Sequence, residues 1–519
     1  MSDSPSGPHS ESPAPALSLK NQFTGGVSWL YGLQLVQRLV GTAQIVVVAR
    51  FIAPEEFGVI GVALLILGLL EMLATTGLDQ ALIQKAGRIE SDLDTVWWTT
   101  VARGAMLSVL LYLFAPIVAS FFGEPRAENV VRFVALVPLI RGLQSVGLTA
   151  LTKELAFGRL AILELVKTVA GAVAAIGLAV WLQNVWALVI VQLIGPAITA
   201  LGSYFVHPYR PRLRFQFGVL RRLWGFSKWV AGSRWMHYFA DQGDNWVVGR
   251  VLGAAPLGLY RAAYRLGSTP MSEVTGVLSR VAFPTFSKML REPERMGRAY
   301  LRLLHLIAFV STPLSIGMIS IAEPGVRVLL GEKWVAMTPA LQVLLIGGVI
   351  RSFRATTGPV LQAIGRPDVV TKITALRVVV MLAIIVPMAQ RWSIAGAAWA
   401  TVVALVIEVP WLLRATTRAV HVSARDVYVR IALPFVYVLP MAAVMIGIQA
   451  ALALAPWQEL LLASALGAAA YVATVATLDH RIGFGAWTDL SSAVSGQVRP
   501  LVRRLRKRSS SQTAHSATP

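Results

Sequence analysis

The chain contains no cysteine, which removes disulfides, thiolate metal sites and cysteine nucleophiles from consideration. It is also poor in acid: 26 Asp and Glu stand against 47 Lys and Arg, and charged residues of both signs make up only 14% of 519 positions. The outer loops are among the shortest segments, and the inner loops hold no paired-acid motif or metal-ligand spacing. A membrane-bound polymerase, ligase or glycosyltransferase, which would present such groups on a sizeable loop, is therefore disfavoured, and no metal or cofactor is expected. Residues 1–20 are Ser- and Pro-rich without an apolar run, and read as a disordered tail rather than a signal peptide.

What is present is apolar. Hydrophobic residues account for 55% of the chain and the mean hydropathy is +0.63, values that point to an all-α polytopic membrane protein. Segments long enough to cross a bilayer number about 14. They start near Gly25, Glu56, Thr95, Asn129, Leu160, Val185, Leu223, Ala255, Tyr300, Pro339, Thr371, Ile394, Tyr428 and Trp457. Their connections alternate in charge. One set is basic, with Lys85 and Arg88, Lys153 and Arg159, the arginines from Arg210 to Arg222, Lys288 to Arg298, Arg366 and Lys372, and Arg414 to Arg425. The other set is short and nearly free of cations, with Arg327, Lys333 and Arg391 as exceptions. Such alternation puts the basic loops and both termini in the cytoplasm.

The same placement accounts for the net charge of +21 without nucleic acid, because the charge is spread over alternate loops and the tail. Trp97, Trp98, Trp181, Trp186, Trp224, Trp334, Trp392 and Trp457 fall near predicted helix ends, as an interfacial belt would place them. The basic tail, 481–519, either lies on anionic membrane lipids through Arg503, Arg504, Arg506, Lys507 and Arg508 or is simply solvated.

A repeat organises these segments. Gly25, Trp29, Gly32, Val47, Val48, Arg50, Gly58 and Ala63 recur 200 positions later as Gly225, Trp229, Gly232, Val247, Val248, Arg250, Gly258 and Ala263. With about six helices between the copies, both enter the membrane in the same direction, as in parallel-repeat transporters whose site lies between the halves. The expected organisation is a first lobe over 21–206, a basic cytoplasmic linker over 207–222, a second lobe over 223–420, an added helix pair over 421–480 and the tail.

Each copy carries a polar stripe along one helix face. Arg234, His237, Tyr238, Asp241, Asp244 and Asn245 fall at helical spacing, and Gln34, Gln37, Arg38, Gly41, Thr42 and Gln44 are their counterparts. Ionisable groups at membrane depth face a bundle interior or a wet cavity, so two equivalent stripes imply one shared central cavity.

Several loop motifs resemble a known family. The stretch from Ala53 to Gln84 (APEEFGVIGVALLILGLLEMLATTGLDQALIQ), FPTFSKML from Phe283, GEKW from Gly331 and LQAIGRPD from Leu361 are similar to those of the Wzx/WzxC-type polysaccharide transporters of the MOP (MATE-like) flippase superfamily. The resemblance runs from about residue 20 to 420. It implies two six-helix bundles in a V shape plus two further helices. It also implies translocation of undecaprenyl-diphosphate-linked oligosaccharides across the bacterial inner membrane for exopolysaccharide, O-antigen or capsule assembly. A polysaccharide polymerase and assembly proteins would be partners. A peptidoglycan-precursor flippase shares such a cavity and stays open as an alternative, as does another MATE-like exporter.

A diphosphate calls for arginine, whose planar fork keeps its charge at any relevant pH. The substrate-binding candidates at membrane depth are Arg38, Arg103, Arg141, Arg234, Arg265, Arg351 and Arg354, set against the acids Glu71, Glu164, Asp241, Asp244 and Glu273. Glu164 and Lys167, one turn apart, are expected to pair with each other. Arg261, Arg280 and Arg377 are placed near helix ends, where snorkelling explains them. Asp241, Asp244 and His237 either couple transport to a proton or cation or neutralise Arg234 and its neighbours.

Overall fold

The computed structural model describes residues 17–74, 82, 90–154, 157–212, 214–218 and 238–482, and among them the chain is helical with no strand. The elements are α1 (Leu17–Phe51), α2 (Pro54–Leu73), α3 (Glu90–Phe122), α4 (Arg126–Val134), α5 (Leu136–Gly142), α6 (Gly147–Lys153), α7 (Phe157–Leu182) and α8 (Val185–Val206). Then follow α9 (238–252), α10 (Ala254–Lys288), α11 (Pro293–Ser320), α12 (Ala322–Leu329), a 3-10 turn (Glu332–Met337), α13 (Thr338–Ala363), α14 (Pro367–Ala419), α15 (Ala424–Ala451) and α16 (Pro456–Ile482).

Nine of these helices are long and apolar enough to cross a membrane, or up to ten if the pair Arg126–Gly142 and Gly147–Lys153, bent by 55°, is one span. In lipid a spanning segment must satisfy its own backbone, and helices do so locally. Among the described residues, α10 falls outside that set, because Arg261 and Arg265 lower its hydropathy.

The helix α14 is 53 residues long but holds two expected segments. Trp392 (φ −125°, ψ 19°) and Ser393 (φ 52°, ψ −140°) leave helical geometry, and the chain resumes helix from Ile394. Gly396 allows the close return, since a Cβ there would stand 1.9 Å from the Met388 carbonyl oxygen.

Two compact units are present. The first comprises 1–52, 66–115 and 129–233; the second comprises 53–65, 116–128 and 234–519. In the first, α7 and α8 pack side by side, with α1 against α7. A core of Leu82, Leu93, Val96, Val146 and Ala150 lies under Trp97 and Tyr209. In the second, α10, α13 and α14 form the centre, α11 and α15 pack on it, and Phe286, Met296, Tyr300, Phe353 and Val420 belong to one buried cluster.

Within the second unit the start of α2 crosses the start of α10 at van der Waals contact of the backbones. A Cβ on Gly58 would lie 1.7 Å from the Ala254 carbonyl oxygen, and one on Gly258 would lie 2.0 Å from that of Pro54. Residues 54 and 58 are related to 254 and 258 by the 200-residue shift, so the contact is reciprocal, as a twofold axis through the crossing produces. Arg261 completes it by donating from Nη1 to the Gly61 carbonyl at 3.2 Å. Arg126 pairs with Glu56, and the Arg250 guanidinium sits 5.3 Å over the Phe121 ring.

Trp334, just before α13, faces the protein interior: it is fully buried and edge-on to Phe57 at 5.0 Å, three residues after Gly331 (φ 98°). Trp181, Trp392 and Trp457 are exposed as a belt requires, whereas Trp224 lies outside the described residues.

The crossing predicts a sharp contrast between glycines. Gly58→Ala and Gly258→Ala must push backbone apart, at a cost of about 1–3 kcal/mol or more, whereas Gly171→Ala, with open space around it on α7, is neutral or stabilising by a few tenths. Thermal unfolding of the purified variants checks this ordering.

Candidate functional site

The sequence places acids and arginines on four neighbouring stretches of the second unit, and the packing of α9, α10, α13 and α14 brings them together. Asp244, on α9, is 3% exposed. Its Oδ2 accepts from Tyr260 on α10 at 2.9 Å, its Oδ1 accepts from the Asn245 side chain at 3.1 Å, and Tyr260 in turn lies 3.5 Å from Thr401 on α14. Asp241, one turn earlier on α9, is exposed, and it and Asp244 both act electrostatically on Arg351.

A second charge cluster centres on Glu408, which is 0% exposed. Its Oε1 accepts from Arg354 Nε at 3.1 Å and from the Thr374 hydroxyl at 3.2 Å. Arg354 also donates from Nη2 to Thr374 at 3.1 Å, which fixes the guanidinium at two points. Arg377 stands with Nε 3.4 Å from Glu408 Oε2 and donates from Nη2 to the Ala240 carbonyl on α9 at 3.2 Å. A single carboxylate thus faces two guanidinium groups in a water-poor interior, where an unpaired charge would be far costlier than a paired one.

Glu408 was not among the sequence candidates, and Arg377 was read as snorkelling. Both readings are corrected by burial: Arg377 is 6% exposed, about ten residues inside α14 and thus roughly 15 Å from its start. The signal was available in principle, since Glu408 is the lone acid in the apolar run TVVALVIEVPWLL, and a lone ionisable residue in a span requires a partner.

Arg351 differs from its neighbours. Its guanidinium lies 5.0 Å over the Tyr264 ring, its Nε has no hydrogen-bond partner, and no carboxylate forms an ion pair with it among the described residues. A cavity of about 310 Å³ opens beside it, lined by Arg351, Arg354, Ser268, Ser352, Gln362 and Met271 among others. The arrangement can offer cationic donors to an anion while Glu408 holds Arg354 in place.

The other candidates fall elsewhere. Arg141 and Arg103 belong to the first unit, on α5 and α3, which meet at Gly142 and Gly104, one residue from each arginine. Arg141 grips Glu71 from Nη1 at 2.6 and 2.8 Å, and Arg103 reaches toward the Ala74 carbonyl at 3.5 Å. Arg38 is exposed on α1, while its neighbour Gln37 donates to Glu164 at 3.3 Å and to Thr168 at 3.2 Å on α7. Glu164 pairs with Lys167 at 2.5 Å, as their spacing requires. Arg265 is exposed on α10, and its guanidinium has no hydrogen bond or ion pair among the described residues. Arg234 and His237 lie outside the described residues.

The Glu408 cluster predicts a large stability effect. Glu408→Gln leaves the buried Arg377 and the partly buried Arg354 facing a neutral amide and costs about 3–5 kcal/mol, whereas replacing Glu408, Arg354 and Arg377 together by apolar residues of similar volume recovers most of that loss. Thermal melts of the variants in detergent measure both.

Comparison with known proteins places this geometry in context. A family model described as "Polysaccharide biosynthesis protein" matches residues 47–339. The succinoglycan biosynthesis transport protein ExoT of Rhizobium meliloti (strain 1021) is 30% identical over 62% of this chain and 65% of its own length. The lipopolysaccharide biosynthesis protein WzxC of Escherichia coli (strain K12) is 26% identical over 76% of this chain and 80% of its own. The chain therefore spans a little under two thirds of the first relative and four fifths of the second. Among solved structures, the lipid II flippase MurJ in an inward closed conformation superposes with a TM-score of 0.70 at 14% identity, covering 88% of this chain and 99% of that one, a likeness of fold. Because the match takes in more than half of the sequence, the chain belongs to the polysaccharide biosynthesis protein family.

Proposed function

We propose that the protein is a flippase that carries undecaprenyl-diphosphate-linked oligosaccharide units across the bacterial inner membrane, for assembly of an exopolysaccharide, O-antigen or capsule. The observation that carries the reading is Arg351, a guanidinium that forms no ion pair among the described residues, with Asp241 and Asp244 acting on it only at longer range, beside a cavity inside membrane helices. Such a group is costly unless something anionic uses it, and a lipid diphosphate supplies charge and acceptor oxygens together. The relatives named for succinoglycan transport and lipopolysaccharide biosynthesis support a saccharide cargo.

In this reading the polar head moves through a cationic passage by alternating access of two lobes, 21–206 and 223–420, while the apolar chain stays in lipid. The protein is then a transporter and not an enzyme, its termini are cytoplasmic, and its partners are the polymerase and assembly proteins that consume the translocated unit. Arg38, Arg234, Arg351, Arg354, Arg141, Arg103 and Arg265 meet the phosphates, and Asp241, Asp244 and His237 couple the cycle to an ion.

Depleting the protein is expected to trap lipid-linked oligosaccharide on the inner leaflet, and the trapped glycan names the cargo. Accumulation of a peptidoglycan precursor instead would reassign the substrate. Arg351→Gln is expected to insert at the normal level while lowering polymer export about tenfold or more, the worth of one charge-assisted contact, with Arg351→Lys intermediate. Neutralising Arg38 and Arg234 together is expected to stop export; normal output from that well-expressed double variant would remove both from the site.

A further inference from the structure

Apart from the charged centre of the second unit, the first unit holds an open cavity of about 440 Å³ where α7 begins and α8 ends. Its walls include Arg159, Ile162, Tyr204, Phe205, His207 and Arg210. The proposed transport path assigns no role to any of these residues.

The corner is built rather than loose. Tyr204 donates to the Leu143 carbonyl at 2.7 Å and accepts from Trp97 Nε1 at 3.1 Å. Arg210 donates from Nη1 to the carbonyls of His207 at 2.9 Å and Tyr209 at 3.0 Å, and its guanidinium lies 5.8 Å over the Tyr204 ring. Those bonds leave its Nε and Nη2 for another acceptor. Arg159 is exposed and has no hydrogen bond or ion pair with a described residue. Burial lowers the His207 imidazole below its usual range, and although Glu154 opposes this, Arg159 and Arg210 both push in the same direction. The corner thus concentrates positive potential.

Directly beside it lies an apolar strip that faces outward. Ile162, Val166, Val169 and Val173 are exposed and recur at helical spacing along α7, and on the adjacent α8 Leu201 and Phe205 are exposed, Phe205 by 89%. On a membrane span, such a face is one for acyl chains. Two cations at the end of that strip, on the side of the basic loops, match a headgroup phosphate at interface depth. A soluble anion would use the arginines but gain nothing from Phe205.

We propose that this corner binds one anionic phospholipid of the leaflet on the basic-loop side, its phosphate between Arg159 and Arg210 and an acyl chain along Ile162 and Phe205. The occupant is distinct from the transported substrate, and the site stands whether or not the transport reading does.

Native mass spectrometry of the purified full-length protein tests it, with phosphatidylglycerol titrated against phosphatidylcholine, and inorganic phosphate as competitor. Wild type is expected to prefer phosphatidylglycerol about tenfold at this site, and R159Q/R210Q to retain one fewer per chain. Phe205→Ser is expected to lower retention with both charges intact, and millimolar phosphate to leave it unchanged. Because Arg210 also ties its own loop, R159Q alone, which breaks no described contact, must lose at least half of the specific retention. Undiminished retention in R159Q and in the double variant, or full displacement by inorganic phosphate, overturns the proposal.

Discussion

The constraint on which the rest depends is that an ionisable group inside hydrocarbon must find a partner within the protein or a cavity wet enough to do without one. The described part of this chain pairs several charges on its helices by that rule, from the part-exposed to the fully buried. Glu164 takes Lys167, Glu71 takes Arg141, and Glu408 takes Arg354 and Arg377. Arg351, resting on an aromatic face beside a cavity, is left for something else. In a chain this poor in acid, a guanidinium resting on a tyrosine ring next to the paired Arg354 is informative.

The motifs that carry the family resemblance have structural reasons beyond sequence likeness. APEEFG brings Gly58 to the backbone crossing with α10, Glu56 to Arg126 and Phe57 to Trp334, while GEKW supplies the buried tryptophan and, three residues before it, a glycine at positive φ. Two stretches almost 280 positions apart therefore meet in one contact of the second unit. That contact serves the fold, so such signatures say little about the sugar.

Much of the fold was legible because hydropathy and glycine placement are local signals. The expected segment starts at Ala255, Pro339, Ile394 and Trp457 fall at or within a residue of observed helix starts, and the break at Ser393 was visible as a boundary between two apolar runs. The Glu164 and Lys167 pair was legible for the same reason, since helical spacing alone brings them together. The Glu408 cluster was not, because its partners lie 54 and 31 positions away on chain that only tertiary packing brings near. Placing the eleventh segment's start at Thr371, four residues late, also made Arg377 look like a helix-end residue. That Trp334 faces Phe57 was not legible either, because its partner lies almost 280 positions away.

The central claim is that the cationic passage moves a lipid-borne diphosphate sugar between leaflets. Purified protein reconstituted into sealed vesicles, with a fluorescent undecaprenyl-diphosphate oligosaccharide placed in the outer leaflet, tests it most directly through the fraction protected from a membrane-impermeant quencher. The account predicts protection that grows with time in protein-containing vesicles and stays at the empty-vesicle level with Arg351→Gln. Equal protection with and without the protein, under conditions where the protein is folded and inserted, would contradict it.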